Sequence, residues 1–290
     1  MISGRLSRSD YVVLALAVLA VSTSAPLIRL SQAEPLTIAF WRVFLAAVGT
    51  WLIAMTRAQW RIAPATWGLT WLAGVFLGLH FWVWISSLQY TSVANSVLLV
   101  TTQPIWAAII GRVFLRERVP AVAVFGIVLT LAGSAVAIGM SGVQLQGDLL
   151  ALAGGVLAAA YMVVGRRERQ GWDTVPYLAR VYLTAAMLLA LGVVATGQTF
   201  IPPRTEDWWV FVALAVIPTG IGHSLYNYVL RHLPAYVVAT TITGEPVGAS
   251  ILAYVVLGES PPIRALIAAP FILGGIVLVG LSQRRRVPAL

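Results

Sequence analysis

The 290-residue chain contains no cysteine and no lysine, and only 10% of its residues are charged. Without cysteine it can form neither disulfides nor thiolate metal sites. Soluble domains average about 25% charged residues, so this chain lacks the polar surface that a water-facing fold needs. Hydrophobic residues make up 59% of the sequence, and the mean hydropathy is +0.88. This composition is that of an integral membrane protein.

Long apolar runs divide the sequence into ten segments, each close to the ~20 residues that a helix needs to cross a bilayer. The runs lack the alternation of barrel strands, so helices are the structures that can satisfy their backbone inside lipid. We predict an all-α, polytopic membrane protein with ten transmembrane helices. They cover approximately residues 11–30, 35–55, 67–88, 93–111, 120–138, 148–165, 174–196, 208–230, 235–256 and 263–281.

The two halves of the chain resemble each other. Residues 103–118 read QPIWAAIIGRVFLRER and residues 245–260 read EPVGASILAYVVLGES, with a proline, a leucine and a glutamate recurring at a spacing of 142. We predict two five-helix repeats, in residues 1–143 and 144–290. Because five is odd, the second repeat enters the membrane upside down. Inverted repeats are typical of secondary transporters, whose substrate site lies near the midplane where the repeats meet.

Arginines are unevenly divided between the two sides of this topology. With the N-terminus in the cytoplasm, 14 of the 19 arginines fall in cytoplasmic segments, whereas the outer loops hold only Arg29, Arg204 and Arg264. This distribution follows the positive-inside rule and places both termini in the cytoplasm. The topology accounts for the net charge of +9, so we predict no nucleic-acid partner.

One acidic residue, Glu245, falls deep inside a predicted span, about 15 Å from the span's start at 1.5 Å per residue. Its partner in the first repeat is Gln103, and each is followed by a proline that can kink the helix. Ionisable groups at this depth are costly and mark functional sites. We predict that Gln103 and Glu245 contact polar groups of a substrate. A neutral glutamic acid that only links helices stays open as an alternative.

Further polar and aromatic side chains lie at membrane depth on other spans. His80 and Trp84 are four residues apart and share a helix face, as do His223 and Asn227. A purely structural role stays open for either histidine, and a lipid-facing role for any of the aromatic residues. The candidate pocket-lining residues are His80, Trp84, Trp106, Tyr161, His223 and Asn227.

Two arginines, Arg42 and Arg180, lie about seven residues inside their spans. We expect their long side chains to snorkel toward an interface, with a gate or a carboxylate contact as the alternative. The sequence contains no H-E-x-x-H, G-x-S-x-G or Walker A motif and no clustered metal ligands. It therefore predicts no metal, no cofactor and no enzymatic activity.

A mid-span proline, small residues after it and a closing Leu-x-Glu occur twice, in residues 104–117 and 246–259. In this double motif the chain resembles the EamA-type members of the drug/metabolite transporter superfamily over approximately residues 10–282. Within that superfamily it looks most like the branch of bacterial aromatic amino-acid exporters.

The resemblance implies an exporter of aromatic and other neutral amino acids in a bacterial inner membrane, working through a central alternating-access cavity. We expect a small-molecule substrate, a lipid bilayer and no partner chain, so that the protein acts as a monomer. Two alternatives stay open: proton-coupled efflux of cationic hydrophobic drugs through Glu245, and a membrane-embedded enzyme acting on lipid-linked precursors.

Overall fold

The computed structural model of the protein describes residues 7–56, 67–138, 144–169, 173–252 and 263–283. Every regular element in these ranges is helical, which confirms the predicted all-α class. The second closing motif, around Glu259, lies outside the described residues. The helices are α1 (Arg8–Val21), α2 (Ser24–Leu30), α3 (Pro35–Thr56), α4 (Trp67–Tyr90), α5 (Val93–Val100), α6 (Gln103–Phe114), α7 (Ala121–Ile138), α8 (Leu145–Glu168), α9 (Thr174–Thr196), α10 (Asp207–Leu214), a π-helix (Ala215–His223), α11 (Ser224–Leu230), α12 (Ala235–Ile242), α13 (Glu245–Leu252) and α14 (Ile263–Ser282).

Seven helical stretches of the described chain are long and apolar enough to cross a membrane. Two more, Ala121–Val136 and Leu266–Ser282, are apolar but shorter. The predicted span 235–256 is represented by α12 and α13, and its last residues are not described. The membrane-protein class is thus supported by the structure, whereas the number of ten spans stays a prediction. The seven stretches are Arg8–Leu30, Pro35–Thr56, Gly68–Tyr90, Asn95–Phe114, Leu145–Glu168, Thr174–Thr196 and Asp207–Leu230.

Three of the predicted spans are broken near their middle. Residues 22–23 separate α1 from α2, residues 101–102 separate α5 from α6, and residues 243–244 separate α12 from α13. Pro104 and Pro246 occupy the second position of α6 and α13. A proline has no N–H to donate, so it interrupts a continuing helix but fits the first turn of a new one.

Hydroxyl side chains at the breaks donate to backbone carbonyl groups of the preceding turn, which also accept a backbone N–H. Ser22 donates to the carbonyl oxygen four residues earlier, at 2.8 Å. Thr102 and Thr243 donate to carbonyl oxygens three residues earlier, at 2.7 and 2.6 Å. Because lipid supplies no hydrogen bonds, such local partners are what make a broken helix tolerable at membrane depth.

A fourth irregularity lies between α10 and α11, where nine residues form a π-helix around Pro218. The hydroxyl of Thr219 donates to the carbonyl oxygen of Leu214 at 2.8 Å, which occupies one of the acceptors left over by the wider turn. π-Helical turns are uncommon and concentrate at functional sites. This one presents Thr219 and His223 toward the interior of the bundle.

Candidate functional site

A small internal cavity lies where the three breaks meet. Each broken helix contributes the last residue of its first half and the first residue of its second half. The cavity offers about 40 Å³ to the centres of water-sized molecules, and one water needs about 10–15 Å³ by this measure. It therefore has room for a few waters as it stands, and it must widen to hold an amino acid. The residues from the breaks are Val21 and Ser24, Val100 and Gln103, and Ile242 and Glu245.

Arg42 lines this cavity, contrary to the snorkelling that we expected from its depth. It is only 1% exposed. Its Nε donates to the hydroxyl of Thr219 at 2.7 Å, and its Nη1 donates to that of Ser24 at 2.8 Å. The guanidinium carbon lies 4.1 Å from the ring centre of Phe81, in a cation–π arrangement. These contacts hold the charge at the centre of the protein. Arg180, its repeat partner, is only partly buried.

The two residues predicted from repeat symmetry, Gln103 and Glu245, also line the cavity. They begin α6 and α13 and are 5% and 8% exposed. The backbone carbonyl oxygen of Glu245 lies 3.2 Å from the Ser22 hydroxyl, whose one hydrogen is shared with the nearer carbonyl oxygen of Val18, and this contact links α13 to the first break. Arg42 and Glu245 thus line the same buried space, and a basic and an acidic side chain together suit a polar ligand.

His80, Trp84, Tyr161 and His223 form an aromatic wall of the cavity. His80 is fixed because its Nδ1 pairs with the carbonyl oxygen of Gly154 at 2.8 Å, and its ring stacks on Trp84 with 5.9 Å between centres. Trp84 Nε1 and His223 Nδ1 are buried and have no hydrogen-bond partner among the described residues. The same holds for Oε1 of Gln103. This hydrogen-bonding capacity is available to a ligand.

Two residues predicted to line the pocket lie outside it. Trp106 is partly buried one turn along α6, and its indole N–H donates to the Thr102 hydroxyl at 3.1 Å. Asn227 is buried behind the aromatic wall. Its amide nitrogen donates to the hydroxyl of Tyr161 at 2.5 Å and to the carbonyl of His223 at 2.7 Å. Asn227 thus positions two cavity residues without facing the cavity.

Replacing Asn227 with alanine should lower the melting temperature of the purified protein and weaken substrate binding. The change removes both hydrogen bonds and leaves the Tyr161 hydroxyl without its donor, a loss worth about 1–3 kcal/mol for a buried group. Thermal unfolding in detergent measures the first effect. An unchanged melting temperature would contradict the positioning role.

One end of the bundle, the arginine-rich end, carries Asp10, Arg166 and Glu168. Arg169 is buried there, and its Nε donates to the carbonyl oxygen of Asn227 at 3.2 Å. Burial lowers the pKa of Arg169 to about 10, so the side chain remains charged at neutral pH. Three further contacts close this end: Thr70 to Glu168 at 3.2 Å, Arg166 to Glu117 at 3.4 Å, and His232 to Asp10 at 2.8 Å.

At the opposite end, the Asp207 end, the residues at the end of the first predicted span contact those just before the eighth. The backbone N–H of Gln32 donates to Asp207 at 3.1 Å, and Arg204 donates to the carbonyl oxygen of Leu30 at 2.7 Å. Asp207 is fully buried although it begins its helix. Contacts therefore cross the bundle at both ends of the described structure.

Sequence reasoning missed Arg42 and Ser24 as cavity residues. The depth of Arg42 was visible, but its partners lie 18 and 177 positions away in the chain. A serine or threonine pair beside a mid-span helix break is the signal that could have found Ser24.

Among the described residues no group of three or more His, Asp or Glu side chains could hold a metal ion.

Comparison with known proteins identifies the fold and the family. A solved crystal structure, 22% identical, superposes with a TM-score of 0.79 over 97% of this chain and 99% of that chain, and it shares the fold. An uncharacterized transporter of Archaeoglobus fulgidus is 24% identical over 89% of this chain and 92% of its own length. A probable terminal-alkyne amino-acid exporter of Streptantibioticus cattleyicolor is 28% identical over 65% of each chain.

The uncharacterized transporter YdfC of Bacillus subtilis is 24% identical over 71% of this chain and 67% of its own length. The profile of the EamA-like transporter family matches residues 9–139 and again residues 145–281. These two matches cover nearly the whole chain. The chain therefore belongs to the EamA-like transporter family.

Proposed function

We propose that the protein exports small metabolites, chiefly aromatic and other neutral amino acids, through the cavity between its broken helices. The observation that carries this proposal is the cavity itself, with Arg42 and Glu245 at membrane depth beside an aromatic wall. Ionisable groups are costly at membrane depth, and they therefore mark functional sites. The relative described as a probable amino-acid exporter adds support for this class of substrate.

We further propose ten spans arranged as two inverted five-helix repeats, in residues 1–143 and 144–290. The breaks at residues 101–102 and 243–244 support this arrangement, because each is followed at once by a polar residue and a proline, at Gln103 and at Glu245. The arginine distribution supports an inner-membrane protein with both termini in the cytoplasm. We also propose that it works as a monomer.

In this mechanism the cavity opens to one side at a time. Parting the contacts of Glu117 and Glu168 at the arginine-rich end admits a substrate from the cytoplasm. Parting the contacts of Asp207 at the other end releases it outside. The broken helices suit this motion, because each half can tilt about its break without opening hydrogen bonds along a continuous helix.

Efflux of cationic hydrophobic drugs is a second candidate, since Glu245 could hold a cation. Arg42 in the same cavity argues against it, because a lone cation would meet a like charge there. The family and its named relatives are transporters, and this argues against a membrane-embedded enzyme. We therefore favour amino-acid export.

Transport by the purified full-length chain in vesicles tests the proposal. Vesicles loaded with unlabelled phenylalanine should accumulate labelled phenylalanine transiently, and the initial rate should saturate. Repeating the assay with and without a pH gradient separates proton-coupled from uncoupled transport. Protein-free vesicles are the control. Equal uptake by both preparations, for every aromatic amino acid tried, would contradict the proposal.

A further inference from the structure

The cavity is lined by one basic and one acidic side chain that do not pair with each other directly. Arg42 and Glu245, on α3 and α13, form no ion pair within 4.0 Å in the described structure. They nevertheless line one buried space. Unpaired charges in a low-dielectric interior are strongly disfavoured. The separation of Arg42 and Glu245 is explained if a ligand binds between them and contacts both.

Arg42 lines the cavity, and its guanidinium group does not use all of its hydrogen-bond donors within the described structure. Its Nε and Nη1 are engaged by Thr219 and Ser24, and the ring of Phe81 covers the guanidinium. Its Nη2 donates to no group among the described residues. The side chain is thus held in place with one nitrogen uncommitted. A carboxylate is the ligand that a guanidinium edge binds best.

Glu245 provides hydrogen-bond acceptors in the same cavity. Its backbone carbonyl is used by Ser22, whereas its side-chain oxygens accept no hydrogen bond from the described residues. The buried Oε1 of Gln103, an uncommitted acceptor as well, belongs to the residue at the symmetry-related position. Two acceptors of this kind match an ammonium group, which has three donors and no acceptor.

We propose that the cavity recognises its substrate as a zwitterion, with the carboxylate at Arg42 and the ammonium at Glu245 and Gln103. The inference rests on the proposed function and adds to it a requirement for both charges on one molecule. An amine without a carboxylate leaves Arg42 uncompensated, and a carboxylic acid without an amine leaves Glu245 uncompensated. The aromatic wall then receives the side chain, with the unpartnered Trp84 N–H as a further donor.

Three probes that share an indole ring test this: tryptophan, tryptamine and indole-3-propionate. In vesicles containing the full-length wild-type protein, tryptophan should be taken up about tenfold faster than either single-charge analogue. Arg42→Gln should lower tryptophan uptake about tenfold while preserving or raising that of tryptamine. Glu245→Gln should lower tryptophan uptake by the same factor and favour indole-3-propionate.

Arg180→Gln is the matched control, because it removes the repeat-related arginine, which lies outside the cavity; it should keep the wild-type preference. If Arg42→Gln does not fold, Arg42→Lys should fold and retain the preference for tryptophan at a lower rate. Equal uptake of all three probes by the wild type would overturn the zwitterion requirement and leave transport standing. An equal loss of uptake of all three probes in both Arg42→Gln and Glu245→Gln would overturn the zwitterion requirement as well. Uptake of none would overturn the proposed function and this inference together.

Discussion

Ala158→Leu is expected to lower transport by about 10- to 100-fold without unfolding the protein. Ala158 lies on α8 and lines the cavity, which has room for only a few waters. Three added carbon atoms therefore occupy the space that the substrate needs. Overpacking a filled space costs about 1–3 kcal/mol, and each 1.4 kcal/mol is a factor of ten in affinity.

The control is Ala153→Leu on the same helix. Ala153 is exposed, so the same three carbon atoms point away from the bundle and should leave the transport rate unchanged. Initial rates of tryptophan counterflow, at equal protein content per vesicle, measure both variants. Equal rates for the two variants would mean that the substrate does not pass through this cavity.

Gly275→Ala is expected to destabilise the protein by about 1–3 kcal/mol, the usual cost of overpacking. A Cβ atom at Gly275 would lie 2.5 Å from the carbonyl oxygen of Gly126 on α7 and 2.9 Å from the backbone nitrogen of Thr130. Both are backbone atoms, which cannot move aside as a flexible side chain can. The change therefore separates α7 from α14, the pair that packs at this glycine contact.

Gly274→Ala is the matched control one residue away. A Cβ atom there has no heavy atom within 4 Å, and alanine is favoured over glycine in a helix interior by about 1 kcal/mol. This variant should be as stable as the wild type or slightly more stable. Melting temperatures in detergent should fall clearly for Gly275→Ala and not for Gly274→Ala. Equal melting temperatures would show that the two helices do not pack at these glycines.

Repeat symmetry and depth within the predicted spans were enough to predict that Gln103 and Glu245 lie together, and both line the cavity. A proline after each residue predicted a local disturbance of the helix, but a proline can kink a helix without ending it. The hydroxyl groups of Ser22, Thr102 and Thr243 also contribute at the breaks, because they add hydrogen bonds to carbonyl groups of the preceding turn. These polar residues are inconspicuous in the sequence because serine and threonine are common in membrane helices.

Arg42 and Trp106 illustrate why depth alone does not locate a site. An arginine seven residues inside a span can extend to the interface or turn inward. The choice is decided by Ser24 and Thr219, which only the folded bundle brings close. Trp106 follows Gln103 by less than one turn, yet its bond to Thr102 directs the ring back along its own helix. Tertiary contacts determine both orientations.

The absence of cysteine from the chain permits one direct test of the central claim, that substrate occupies this cavity and reaches it from alternate ends. Ala158→Cys introduces the only thiol, and a membrane-impermeant maleimide can be added to either side of oriented vesicles. The account predicts labelling from each side, slowed by tryptophan in both cases. Labelling from neither side, or at a rate that tryptophan does not change, would contradict it.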